Sequence, residues 1–205
     1  MKAPLIAAAA VLASVAGFSF LAVEPAASAP GASEAAKYEI DNVHSSVIFR
    51  VRHMSTGFFY GRFNSISGEI AYDPSSPKDS NIEVSVKADS VDSNNKDRDE
   101  HLKSPDFLSA KEFPSITFKS TKVEKKGGAE LLVTGDLTLH GITKSITASV
   151  PHSALGKDPK GNERVGFEAK FEIDPKQFEI HYMTDDKMLG PGLQLIVSVE
   201  AERKP

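Results

Sequence analysis

Alternation of apolar and polar residues dominates the chain from residue 38 onward. In the first strongly patterned segment, residues 46–53, the odd-numbered positions carry Val47, Phe49, Val51 and His53. A period of two is typical of a β-strand with one buried face. The segment is therefore predicted to be a strand whose apolar face points inward, and His53 is carried to the end of that inward face.

The same alternation predicts about eight long strands after a short strand start at 38–40. They cover residues 46–53, 66–72, 82–88, 116–123, 130–140, 144–150, 165–173 and 193–201. Short polar turns separate most of them, and residues 175–192 form one long irregular connection. Eight antiparallel strands either close into an up-and-down barrel or stack as a sandwich, and only the barrel removes exposed edges and encloses a ligand site. The predicted fold class is all-β, and the pattern alone favours the barrel only slightly.

A short helical insertion is predicted around residues 95–110. Proline is tolerated at the start of a helix but not in its interior, so the helix should end before Pro105. Arg98, Asp99 and His101 fall within one helical turn. They would place a cation, an anion and a titratable imidazole near the mouth of whatever the strands enclose, which makes them candidate site residues.

The first thirty residues lie outside the strand pattern. Lys2 precedes an apolar, alanine-rich run over 5–23 and then several small residues, the arrangement of a secretory signal peptide. An uncleaved membrane anchor is the alternative, because the run approaches the length that spans a bilayer. We expect export to the periplasm, with full secretion as the alternative. The expected boundaries are a signal peptide over 1–30 cleaved within about 26–32, a linker over 31–37 and one domain over 38–203.

Composition argues against several classes of function. The 205-residue chain has a net charge of -4, and nucleic acid is an unsuitable partner because phosphate binding needs a positive field. The absence of cysteine excludes thiol catalysis and thiolate metal sites. The chain lacks the motifs of serine hydrolases, zinc peptidases and nucleotide-binding loops, and its histidines lack the dense spacing of metal sites. A non-enzymatic protein without metal or cofactor is therefore expected.

The residues predicted to face inward are mostly medium or large apolar groups. They either fill a dry core or line a tunnel. Gly68, Ala88, Gly135 and Ala169 fall on the same faces, which favours gaps and therefore a tunnel. Burial of a long hydrocarbon there would be favourable by about 0.8 kcal/mol per methylene. The large inward set comprises Phe49, Phe63, Ile70, Val84, Val86, Ile116, Phe118, Leu131, Val133, Leu137, Phe167, Phe171, Leu195 and Val197.

Three separated groups of motifs, in order along the chain, resemble the YceI-like family of polyisoprenoid-binding periplasmic proteins. The first comprises residues 38–41, 44–53, 57 and 61–63, the second residues 92–95, 98–102, 106–107 and 113–118, and the third residues 135–144. The resemblance covers residues 38 to about 202. Residues 181–190 look less like a motif, so lid, tail-contact and dimer roles stay open there.

The resemblance implies a lipocalin-like, eight-stranded antiparallel barrel whose lumen holds a long isoprenoid or similar amphiphile, often in a homodimer and with no established catalytic activity. It places five polar motif residues at the mouth: His53, Arg98, Asp99, His101 and His140. There Arg98 would meet a phosphate or polar head group, and Asp99 would orient Arg98 or His101. The alternative is an Asp99–Arg98 pair that only locks the helix onto the barrel. Other functions left open are an enzyme, hydrolase or isomerase, acting on such a lipid, and a ligand-free structural stress protein. The expected ligand-binding set is Phe49, His53, Phe63, Val86, Arg98, Asp99, His101, Phe107, Phe118, Val133, Leu137, His140 and Phe171.

Overall fold

The computed structural model of the protein describes residues 35–128, 130–185, 187–190 and 192–204, and at 152–153 the backbone alone. The predicted signal peptide and most of the predicted linker lie outside the described residues. Within those ranges, no helix combines the length and apolar character that crossing a bilayer requires.

The described residues form one antiparallel sheet of eleven strands and one α-helix, α1, at Lys96–Lys103. Short 3-10 turns lie at Pro77–Asp79, Ala88–Ser90 and Pro175–Phe178. The strands are β1 Ala36–Ile40, β2 Ser46–His53, β3 Gly57–Phe63, β4 Ile66–Tyr72, β5 Asn81–Lys87, β6 Val91–Asp92, β7 Ser115–Gly127, β8 Glu130–Leu139, β9 Ile142–Lys157, β10 Glu163–Ile173 and β11 Leu193–Arg203.

The sheet closes because one edge of β11 pairs with two consecutive strands. The first half of β11 pairs with β2, from Leu193 opposite Val51 onward, and its end pairs with β1, where Ala201 lies opposite Ile40. β3 pairs with β2 and β4 with β1, while β5 pairs with β4 and β6 with β3. Consecutive strands therefore act together as one bent strand: β1 with β2, β3 with β4, and β5 with β6. With β7 to β11 they make eight antiparallel members of the barrel. The all-β, eight-stranded barrel is confirmed, and the sandwich is not formed.

Helix α1 lies where the barrel wall is interrupted. β7 pairs with β5 but β6 pairs with β3, so the chain between β6 and β7 occupies the remaining space at that end. The Asn95 side chain caps the helix by accepting a hydrogen bond from the Arg98 N–H at 2.9 Å. The helix ends at Lys103, as predicted from Pro105.

Strand β9 is longer than the predicted strand at 144–150, because it continues through Pro151 to Lys157. Proline lacks the N–H that a regular ladder uses, which is why it is found at bulges and edges. The β9–β10 register shifts at this point, between Glu168 opposite His152 and Lys170 opposite Ser149. The bulge therefore accommodates Pro151 inside a continuous strand.

The two ends of the barrel interior differ. At the end that carries the β7–β8 and β9–β10 turns, Val123, Val165 and Ala201 are almost completely buried, and the core is closely packed. At the other end, β2, β8 and β10 finish beside α1 and the connection 174–192, and the interior is open. We call this open end the mouth.

An ion-pair cluster on the outer surface joins the β1–β2 turn to β10 and β11. Arg164 Nη1 lies 2.8 Å from Asp41 Oδ2, and Arg164 Nη2 lies 2.9 Å from Glu202 Oε2. The same Asp41 oxygen lies 2.8 Å from His44 Nδ1. The hydrogen bonds from His44 and then Arg164 hold the pKa of the Asp41 carboxyl well below its usual range, and Asp41 in turn raises the pKa of His44.

Candidate functional site

A cavity of about 590 Å³ occupies the barrel interior, a size within the range typical of small-molecule sites. Its wall comes from inward-facing side chains of the strands, from α1 and from the connection 174–192. Almost all of these side chains are apolar. The polar ones along the wall are His53, Thr56, Arg98, His101, Thr117 and Thr184.

Six inward-facing side chains in the barrel are only half-buried. Side chains that point into a filled core become almost fully buried, whereas these retain accessible surface along the cavity wall. They are Val84, Ile116, Phe118, Ile146, Leu195 and Val197. The interior is therefore an open apolar cavity over this stretch and not a dry core.

Two glycines let large rings lie against the barrel wall. Gly61 is the cross-strand partner of Phe49, and a Cβ atom at Gly61 would lie only 2.2 Å from the Phe49 ring. A Cβ atom at Gly135 would lie 2.5 Å from the ring of Phe118. Without these glycines the rings would have to move away from the wall, so the glycines help to keep the lumen open.

At the mouth, Arg98 and Asp99 are joined through Ser93. The Asp99 carboxylate accepts hydrogen bonds from the Ser93 N–H (2.7 Å) and the Ser93 hydroxyl (2.5 Å). Arg98 donates to the Ser93 hydroxyl oxygen (2.9 Å) and to the Ser93 carbonyl (2.6 Å). The arrangement ties α1 to the residue after β6 and replaces the direct Asp99–Arg98 pair considered from the sequence.

Arg98 also faces the cavity. Its guanidinium carbon lies 4.3 Å from the centre of the Phe59 ring, a distance typical of a cation–π contact. Phe59 itself lines the cavity and packs against Phe49. It was missing from the expected set, although the alternation of Phe59, Gly61 and Phe63 would have assigned it to the inner face.

His101 belongs to an aromatic cluster with Phe107 and Tyr182. The three ring centres lie 5.1–5.2 Å apart in edge-to-face arrangements, which are favourable for aromatic pairs. His101 Nε2 also lies 2.9 Å from Asp106 Oδ2. The cluster connects α1, the turn that follows it and the 181–190 loop.

The 181–190 loop forms part of the cavity wall. Met183, Thr184 and Leu189 line the cavity, and the Met54 N–H donates to the Met188 carbonyl at 2.6 Å. This bond connects the loop to the β2–β3 turn. Thr184 was not expected in the wall, because the loop lacks a periodic pattern and lies far along the sequence from the other wall residues.

Eleven of the thirteen expected ligand-binding residues line the cavity, and two lie elsewhere. Asp99 is engaged by Ser93, as described above. His140 lies in the β8–β9 turn at the mouth end, where its Nδ1 is 3.1 Å from the Phe178 carbonyl and its ring packs edge-to-face on Phe113. A carbonyl can only accept, so Nδ1–H is the donor, and His140 holds the Pro175–Phe178 turn against the barrel. The eleven are Phe49, His53, Phe63, Val86, Arg98, His101, Phe107, Phe118, Val133, Leu137 and Phe171.

Asp41, His44 and Glu200 form a group of potential metal ligands, on the outer surface of the described barrel. Arg164 already donates to both carboxylates of this group, at 2.8 Å and 3.1 Å. The guanidinium supplies the positive charge that a cation would otherwise provide. The group is therefore accounted for as an ion-pair network.

An eight-stranded antiparallel barrel around an apolar cavity defines a lipocalin-like barrel. Comparison with known proteins then identifies the family: the YceI-like domain matches residues 38–201, and the chain belongs to the YceI-like family. A UPF0312 protein of Vibrio parahaemolyticus is 43% identical over 168 residues, covering 81% of this chain and 89% of the relative.

Solved structures share the fold. BcnA of Burkholderia cenocepacia superposes with a TM-score of 0.71 at 21% identity, covering 79% of this chain and 99% of that one. A polyisoprenoid-binding domain of Saccharophagus degradans, implicated in plant cell wall breakdown, superposes with a TM-score of 0.63 at 14% identity, covering 83% and 100%. At these identities, the two likenesses concern the barrel architecture.

Proposed function

We propose that this protein binds a long-chain isoprenoid or similar amphiphilic lipid in the barrel cavity, and carries or sequesters it without changing it chemically. The open apolar cavity is the observation that carries the proposal. A hydrocarbon tail that fills it would remove apolar wall and tail surface from water, which contributes about 0.8 kcal/mol per methylene. The barrel of the polyisoprenoid-binding domain from Saccharophagus degradans has the same fold, which is consistent with this ligand class.

The head group would lie at the mouth, where His53, Arg98 and His101 line the cavity. Arg98 uses Nε and Nη2 on Ser93. Its Nη1 has no hydrogen-bond partner within the described residues, so it is available to a phosphate or another polar head group. Arg98 would then serve both to hold α1 and to meet the ligand.

We propose the periplasm as the place of action. The support is the signal-peptide pattern of residues 1–30. Cell fractionation followed by N-terminal sequencing of the periplasmic protein should give a new N-terminus within about 26–32. A protein that stays in the membrane fraction with its first residues intact would favour an uncleaved anchor. The resemblance also leads us to expect a homodimer, and sedimentation velocity on the same protein measures its oligomeric state.

Native mass spectrometry and solvent extraction of the protein purified from its own host test the binding proposal. One long-chain lipid per chain is the expected result. Incubation of the protein with that lipid should leave the lipid mass unchanged, whereas a modified product would support an enzyme. If the purified protein is lipid-free and neither an isoprenol nor an isoprenyl phosphate binds when added, the carrier proposal is wrong.

The role of Arg98 is tested by Arg98→Ala, with Arg98→Lys as the matched control that keeps the charge but loses the planar fork. Arg98→Ala should weaken an isoprenyl phosphate about tenfold or more relative to wild type, and a neutral isoprenol of the same length much less. The lysine variant should lie between wild type and alanine for the phosphate. Equal losses for both ligands would mean that Arg98 only holds the helix.

A further inference from the structure

The β2–β3 hairpin carries an exposed aromatic and apolar surface on the outside of the barrel. Met54, Phe58 and Tyr60 are 50%, 55% and 53% exposed. They account for half of the large apolar side chains that are exposed among the described residues. Side chains of this size on one hairpin form a candidate interaction surface.

Arginines alternate with the aromatic rings on the same outer face. Arg52 lies opposite Phe58 in the ladder and Arg50 lies opposite Tyr60. The Arg50 guanidinium carbon lies 3.3 Å from the centre of the Phe58 ring. We call Arg50, Arg52, Met54, Phe58 and Tyr60 the hairpin patch.

The charge of the hairpin differs from that of the whole chain. Residues 46–64 contain three arginines and no aspartate or glutamate, whereas the chain has a net charge of -4. An acid-free cationic segment in an acidic protein is complementary to an anionic surface. Arginine together with tyrosine, phenylalanine and methionine suits the interface of a bilayer, where rings sit at head-group depth and cations meet phosphates.

The hairpin patch adjoins the mouth of the cavity. The strand residues His53 and Gly57 and the Thr56 residue of the turn line the cavity, and the Phe58 ring of the patch also reaches its rim. Met54 and Ser55 take positive φ angles of 49° and 56°, and the Thr56 N–H donates to the His53 carbonyl at 3.0 Å. These features are those of a type I′ turn. The turn therefore presents Met54 to the outside directly beside the opening.

We propose that the hairpin patch docks the protein onto an anionic phospholipid bilayer, with the mouth of the barrel next to the membrane surface. Three observations support this occupant: the charge complementarity, the exposed aromatic rings and the adjacency of the patch to the mouth. A lipid could then pass between the bilayer and the cavity over a short distance. Arg52, Met54 and Tyr60 do not line the cavity, so docking is measured separately from binding in the cavity by varying these residues and leaving Phe58 unchanged.

Flotation of the purified protein with unilamellar vesicles tests the proposal, using phosphatidylcholine vesicles with and without phosphatidylglycerol. The protein should bind the vesicles that contain phosphatidylglycerol and dissociate as salt screens the charges. Arg52→Gln should weaken this binding about fivefold, the effect expected for one cation near an anionic membrane surface. The double variant Met54→Ser/Tyr60→Ser should weaken it about tenfold by removing apolar contact area.

A double variant at the other end of the barrel provides the matched control. Val43 and Leu155 are 83% and 51% exposed but lie away from the mouth, so Val43→Ser/Leu155→Ser should bind vesicles as wild type does. All variants change exposed side chains and should keep the wild-type unfolding midpoint and cavity occupancy.

Equal binding to neutral and anionic vesicles, or no effect of the patch variants, overturns the proposal. A further outcome would also overturn it: if the patch variants convert a dimer to a monomer in sedimentation velocity and leave vesicle binding unchanged, the patch binds a second copy of the chain. Loss of cavity ligand in the wild-type protein would instead concern the proposed lipid carrier and would leave docking intact.

Discussion

Substitution of Ala169 by phenylalanine tests whether the ligand tail runs along β10. Ala169 lies in the middle of β10 opposite Val197, and its side chain lines the cavity and is only half-buried. A phenyl ring at this position would enter space that is open in the wild-type barrel. The ring would therefore compete with the ligand tail for the same volume.

The size of the effect follows from the tail length that the ring displaces. Each methylene removed from the apolar cavity costs about 0.8 kcal/mol of binding free energy. Displacing only two methylenes would weaken binding by about 15-fold, since about 1.4 kcal/mol corresponds to a factor of ten. Because the ring fills open space, the loss of folding stability should stay within about 1–3 kcal/mol, the range for added bulk in a core.

Isothermal titration with a long-chain isoprenol measures the affinity, and thermal unfolding in the absence of lipid measures the stability. Ala154→Phe is the matched control, because Ala154 is exposed on β9 and should bind the lipid as wild type does. Wild-type affinity and stoichiometry in Ala169→Phe, with the fold intact, would refute a tail that passes β10.

Two further predictions concern the wall and the outer surface of the barrel. Gly61→Ala should push the Phe49 ring into the cavity, which lowers lipid affinity and costs about 1–3 kcal/mol of folding stability. Gly156→Ala is the control and should change neither, because a Cβ atom there meets nothing within 4 Å. A crystal structure of the Gly61 variant with the Phe49 ring unmoved would contradict the explanation. Asp41→Asn should lower the free energy of unfolding at neutral pH by about 1–2 kcal/mol. Partners in the folded state lower the pKa of Asp41. Its contribution to stability is therefore present above the ordinary aspartate pKa of about 4 and is lost as the pH falls through the pKa of the folded state. The difference between wild type and variant in urea unfolding should therefore shrink below about pH 4, and a constant difference, or one equally large in Asp136→Asn, would argue against this origin.

Much of the barrel follows from local pattern. The inward positions of Val47, Phe49 and Val51 were predicted because successive side chains of a strand point to opposite faces, and the structure places all three along the cavity. The end of α1 was predicted because Pro105 cannot continue a helix. The strand at 144–150 was predicted too short. Pro151 is accommodated by a bulge against β10, and no local sequence pattern indicates that bulge.

The site was predictable where a residue's position on a strand decides its direction, and less so where packing decides it. His53 lies on the wall because it ends an alternating face. A direct Asp99–Arg98 pair was one of the alternatives from the sequence, and the structure instead joins both residues through Ser93. This was not foreseen, because the two bonds to the Ser93 hydroxyl depend on how α1 turns back toward β6. His140 was expected to line the mouth, but it contacts Phe178, 38 residues later in the chain, and Phe113, which lies well before it in the chain.

By itself, the sequence determined an all-β chain of about eight amphipathic strands with one helical insertion and a largely apolar inward face, since these features depend on the two-residue period and on turn chemistry. The tertiary structure decided whether that face is filled or open. The closure of β11 on both β1 and β2 fixes the circumference of the barrel, and the stacking of Phe49 over Gly61 keeps a ring at the wall. The closure joins the last strand of the barrel to the first two, and the Phe49–Gly61 contact depends on the register of the β2–β3 hairpin. Neither follows from the period of a single strand, and together they leave an accessible cavity where the same side chains could otherwise have formed a dry core.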